Sequence, residues 1–158
     1  MNNIFIKTLT FFLIIGLSAC SYKPIFSEQN YGFEIEKIIL SGEKNINRII
    51  NSKLKSIKSD GENQKERYTL EILSKKMREI VSKDTKGDPL KFKMIILVEY
   101  KVSKEGNLIF SNKIEKNNVY NNDSDKFELE QTEDIILEKL TSSISNSLIS
   151  SIINLDDN

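Results

Sequence analysis

From Phe92 to Val102 every second residue is apolar: Phe92, Met94, Ile96, Val98, Tyr100 and Val102. Alternation of this kind sets one face of a β-strand against a core, so a matching layer must cover it. The cover is written elsewhere as two helical stripes. Ile46, Ile49, Ile50, Leu54 and Ile57 fall on one side of a helix predicted from about Lys44 to Lys58, which Ser59-Asp60-Gly61 stops. Ile136, Leu140, Ile144, Leu148 and Ile152 recur every four residues along a second, much longer helix at the C-terminal end. Asp125 and Glu128 have capping-box spacing at its start, and Glu128, Glu130, Glu133 and Asp134 sit near the positive end of its dipole.

The remaining segments supply three further strands. Tyr31 to Ser41 reads as the first, with a change of apolar phase between Ile35 and Ile38 that predicts a bulge or twist. Arg67 to Lys83 reads as a long second strand. Tyr68, Leu70 and Ile72 point one way along it and Leu73, Met77 and Val81 the other, which predicts a bulge or strong bend near Ser74. A turn over Lys86-Gly87-Asp88-Pro89 leads into the alternating strand, and a short loop around Gly106 leads out of it. The fourth strand begins with Leu108, Phe110 and Ile114 and is predicted to fade into Asn117–Asn122. The order strand, helix, three strands, helix gives an α/β (α+β) fold, a two-layer sandwich of two amphipathic helices on one face of a four-stranded, largely antiparallel sheet.

Composition narrows the chemistry. The 158 residues include no His and a single Cys. Histidine-based acid–base catalysis, Ser-His-Asp and Cys-His triads, His-ligated zinc and thiolate clusters are therefore excluded, and neither a metal nor a cofactor is expected. The abundant Ser and Thr have no His to activate them, a Ser-Lys dyad stays open, and Asp84 and Asp88 fall in a turn as solvated acids. The reading is of a protein that is not an enzyme. The 23 bases and 23 acids cancel, which argues against a wholly basic nucleic-acid binder.

The first twenty residues are organised as an export signal. Met1 to Lys7 carries one base and no acid, Thr8 to Leu17 is almost uninterruptedly apolar, and Leu17-Ser18-Ala19-Cys20 follows. As a helix the apolar run reaches only about 15 Å, half of the roughly 30 Å hydrocarbon core, so it does not span a membrane. The cleavage site resembles the lipobox of bacterial lipoproteins. That resemblance implies diacylglyceryl transfer to the Cys20 sulfur, cleavage before it, and acyl chains, palmitate among them, that anchor the mature chain. Each acyl methylene adds about 0.8 kcal/mol of membrane affinity, so two or three chains hold firmly. Ser21 in place of an inner-membrane retention Asp favours the outer membrane. The domain reading is residues 1–19 as removed signal peptide, 20–30 as lipidated Cys and tether, and 31–158 as one sandwich domain.

Taken together, the lipobox with Tyr22 shortly after it, the strand-helix-strand order, the Ser82-Lys83-Asp84 and Gly87 turn, the polar stretch with Tyr120 and the long terminal helix resemble the lipopolysaccharide-assembly lipoprotein LptE family of Gram-negative outer membranes. Departures are the lack of a Gly at the second position after the lipidated residue and helices unusually rich in Ile and Ser. The resemblance implies a lipid-anchored outer-membrane protein facing the periplasm or a barrel lumen. It would partner and plug the β-barrel translocon LptD and assist lipopolysaccharide assembly in cell-envelope biogenesis. The alternative is an accessory lipoprotein of another envelope system, for phospholipid transport or barrel assembly. Nucleic acid is not an expected partner of an exported chain.

Two features are candidates for binding. Between Lys75 and Lys93 seven bases face three acids, whereas residues 122–158 hold nine acids and two bases. Lys75, Lys76, Arg78, Lys91 and Lys93 are the candidate contacts to lipopolysaccharide phosphates, the alternative being a solvated hairpin. If the even-numbered residues of the third strand face the helices, Ile95 and Leu97 fall on the uncovered side, where Leu73, Met77 and Ile109 join them. Such a patch marks a partner surface unless a loop or the tether covers it.

Overall fold

The structure, a computed structural model, describes residues 33–55 and 66–156. The signal peptide, Cys20, the tether, Tyr31 and Ile57 lie outside the described residues. Within them run β1 (Phe33–Gly42), α1 (Lys44–Lys55), β2 (Glu66–Lys83), β3 (Pro89–Lys104), β4 (Asn107–Asn121) and α2 (Lys126–Asp156). The strands lie side by side in chain order, and β2, β3 and β4 pair antiparallel. β1 pairs parallel with β2, because α1 carries the chain back before β2 begins. The fold is thus α+β, a mixed four-stranded sheet with both helices on one face.

The even-numbered residues of β3 meet the helices. Met94, Ile96, Val98, Tyr100 and Val102 are buried with Leu70 and Ile72 of β2, Ile46, Ile50 and Leu54 of α1, and Ile144, Leu148 and Ile152 of α2. Leu129 and Leu137 extend the α2 stripe beyond the four-residue repeat. Four of its six serines are satisfied locally: the hydroxyls of Ser145, Ser147, Ser150 and Ser151 each donate to the carbonyl four residues back. A helix so rich in a weak helix former gains most of its stability from this buried stripe.

The junction of β1 with α1 fixes where the sheet changes width. Gly42 has φ +92°, and a Cβ there would lie 1.9 Å from the Ser74 carbonyl oxygen, so the chain needs glycine to turn this closely against β2. The Glu43 N–H donates to the Ser74 hydroxyl at 3.0 Å, and that hydroxyl donates to Asn47 Oδ1 at 2.8 Å. Asn47 Nδ2 in turn donates to the Ser41 carbonyl at 3.1 Å. Ser74 is buried, and this node satisfies it.

Three expectations need correction. The predicted bulge in β2 at Ser74 is absent: β2 and β3 stay in register from Tyr68↔Lys104 to Ile80↔Phe92, with shifts only around Ser82. The apolar phase changes there because β1 ends opposite Ser74, and the strand continues as an edge whose helix-facing residues become Lys76 and Arg78. β4 does not fade but continues to Asn121, since edge pairing with β3 is a backbone interaction that tolerates Asn117 and Asn118. At α2, Asp125 Oδ1 does cap the Phe127 N–H at 2.9 Å, but the Asp125 N–H is met by Asp123, not Glu128. Two expectations hold: the register slips between Ile35 and Lys37 in β1, and Glu105 and Gly106 both have positive φ, as a tight β3–β4 turn requires.

Candidate functional site

The face of the sheet away from the helices carries the odd-numbered residues of β2 and β3. Two rows cross all four strands: Ile39, Glu71, Lys101 and Ser111 in one, Ser41, Leu73, Glu99 and Lys113 in the next. They line an open groove of about 500 Å³. Its charges alternate in sign from strand to strand, so the groove floor is close to neutral. Ser111 stands opposite Lys101 in it, and among the described residues no group of three His, Cys, Asp or Glu side chains is placed to hold a metal.

Beyond the groove the same face turns apolar and then basic. Met77 pairs across the ladder with Ile95, and Leu97 follows on β3 beside Lys75 and Glu115. Alternation therefore places Ile95 and Leu97 on the expected side. They are not open to solvent, however, being only 6% and 7% exposed, whereas Met77 is 42% exposed. β3 is an inner strand between β2 and β4, and no described helix covers this face of it. Leu73 lies nearer the groove, opposite Glu99, and Ile109 sits apart, in the bulge between Leu108 and Phe110 at the other end of β4. The five candidates therefore form a pair with one near neighbour, and do not make a continuous patch.

The basic cluster is also divided. Lys75, Lys91 and Lys93 share the groove face, but Lys76 and Arg78 point to the helix side. Arg78 stacks its guanidinium 3.6 Å above the Phe92 ring and reaches Glu133 Oε1 of α2 at 3.2 Å. Lys93 is paired with Glu79 at 2.7 Å. Arg78 thus helps dock α2 on the long hairpin, and Lys75, Lys76 and Lys91 are the members for which no ion pair forms among the described residues. Glu133 and Phe92 were not legible as partners of Arg78, because no local spacing links them.

Tyr120 completes this node. Its hydroxyl donates to Glu133 Oε1 at 2.6 Å, and its ring lies 5.8 Å from that of Phe92. Burial and the bond to Glu133 raise its pKa well above the ordinary tyrosine value. The folded state holds the neutral phenol, so this contribution to stability is whole below about pH 10, the unfolded value, and is lost as pH rises through the folded pKa. Tyr120→Phe is expected to flatten the alkaline fall in stability, read from urea midpoints at a series of pH values.

The class defined by this architecture is a small α+β sandwich in which both described helices pack on one face of a mixed four-stranded sheet. No family model and no curated protein sequence matches the chain. Solved structures do. Rare lipoprotein B from Shewanella oneidensis is similar at 18% identity and TM-score 0.55, over 76% of this chain and 98% of that one. A minor lipoprotein from Acinetobacter baumannii is similar at 15% identity and TM-score 0.56, over 77% and 93%. Lipoprotein B from Nitrosomonas europaea is similar at 10% identity and TM-score 0.61, over 84% and 92%. The chain has the fold of these lipoproteins across nearly their whole length. Among the described residues no helix is long and apolar enough to cross a membrane.

Proposed function

We propose that this chain is an outer-membrane lipoprotein of the LptE kind, anchored through acylated Cys20, that partners and plugs the LptD barrel and assists lipopolysaccharide assembly. The observation that carries the reading is the fold shared with lipoproteins over 76–84% of this chain, joined to a sequence whose one Cys stands where a lipobox requires it. The open sheet face suits a barrel partner. Met77, which is half-exposed, supplies apolar contact there, and Lys75 and Lys91 on the same face are cations that could meet phosphates.

Cys20→Ala tests the anchor. The variant is expected to accumulate as an unprocessed precursor or a soluble form, because no described helix replaces the acyl chains as a membrane hold. Lipid labelling that persists in the variant would overturn that part of the reading.

A further inference from the structure

The geometry points to a fifth strand: the edge of β2 from Lys75 to Lys83 is a docking site for an extended acidic segment of another protein. β1 covers β2 only as far as Gly42↔Ser74, while β2 runs on to Lys83 with its other side paired to β3. The carbonyls of Ile72 and Ser74 point toward β1, where they accept from the Ser41 hydroxyl and the Glu43 N–H. By the two-residue repeat of a strand, the N–H and C=O of Lys76, Arg78 and Ile80 point the same way, beyond the end of β1. They leave a row of alternating donors and acceptors that another backbone matches and a lipid headgroup does not.

The side chains along this edge select the occupant. Lys75, Lys76 and Lys83 have no ion pair among the described residues, whereas Arg78 is taken by Glu133 and the one acid of this stretch, Glu79, by Lys93. Met77, Ile80 and Val81 are 42–50% exposed between them, so apolar side chains of an added strand would find contact as well. Lysines on an edge discourage pairing with a like edge, which disfavours a second copy of this chain and favours an acidic strand. The two outer edges of the sheet lack this character: β1 mixes Glu34, Glu36 and Lys37, and β4 mixes Lys113, Glu115 and Lys116.

Amide hydrogen exchange followed by NMR on the purified chain tests this, with a short peptide of alternating glutamate and valine and its lysine–valine counterpart as probes. In the free chain the amides of Lys76, Arg78 and Ile80 are expected to exchange fast and those of Lys75, Met77 and Glu79 slowly. The glutamate peptide should slow the first set by about an order of magnitude or more, and the lysine peptide should not. Ile80→Pro, which removes an outward donor, should weaken peptide binding. If that variant fails to fold, Lys75→Glu with Lys76→Glu should weaken it through charge. Slow exchange of the first set in the free chain would mean that a segment of this chain already covers the edge, and would overturn the proposal. So would absence of binding, or binding of the glutamate peptide that leaves those amides unprotected.

Discussion

Gly42→Ala is expected to destabilise the chain by about 3 kcal/mol or more, as a fall in the urea midpoint, whereas Gly87→Ala should lose only about 1 kcal/mol. Both glycines have φ +92°, so both substitutions carry the cost of placing a side chain in the left-handed region. Only Gly42 has a neighbour in the way. The new methyl would overlap the Ser74 carbonyl at 1.9 Å, while nothing lies within 4 Å at Gly87. Relief requires β1 to draw back from β2 where the Glu43 N–H meets Ser74, loosening the node that starts α1. Equal losses at the two positions would refute the close approach.

A second contrast separates the two faces of β3. Ile96→Lys puts an ammonium where exposure is 0%, between sheet and helices, and is expected to cost about 4 kcal/mol or more, enough to unfold a domain of marginal stability. Ile95→Lys changes a residue that is also buried, but on the face no described helix covers, beside the half-exposed Met77. There the lysine stem can lie along its neighbours with the charge in water, so the loss should be about half as large or less. Circular dichroism and urea unfolding of both variants check the order, and a larger loss at Ile95 would place the core on the wrong side of the sheet.

What could be read beforehand and what could not divide along local and non-local lines. Phe92 to Val102 and the α2 stripe announced themselves because a repeat of two or of four lies within one segment, and together they gave the layers. The Asp125 cap and the Ile35–Lys37 slip were legible for the same reason. The unbroken register of β2 past Ser74 was not, because the change of residue type there reflects where a different strand, β1, stops. The pairing of Arg78 with Glu133 and Phe92 belongs to tertiary packing, and it removes Arg78 from the set of uncommitted bases. Burial of Ile95 and Leu97 was missed because alternation specifies which face a residue points to and not what lies against that face.

The proposed partnership with the LptD barrel is tested most directly by affinity purification of the chain from detergent-solubilised outer membrane, with its companions identified by mass spectrometry. LptD is expected in near-stoichiometric amount. Recovery of the chain with a phospholipid-transport or barrel-assembly complex, and without LptD, would contradict it.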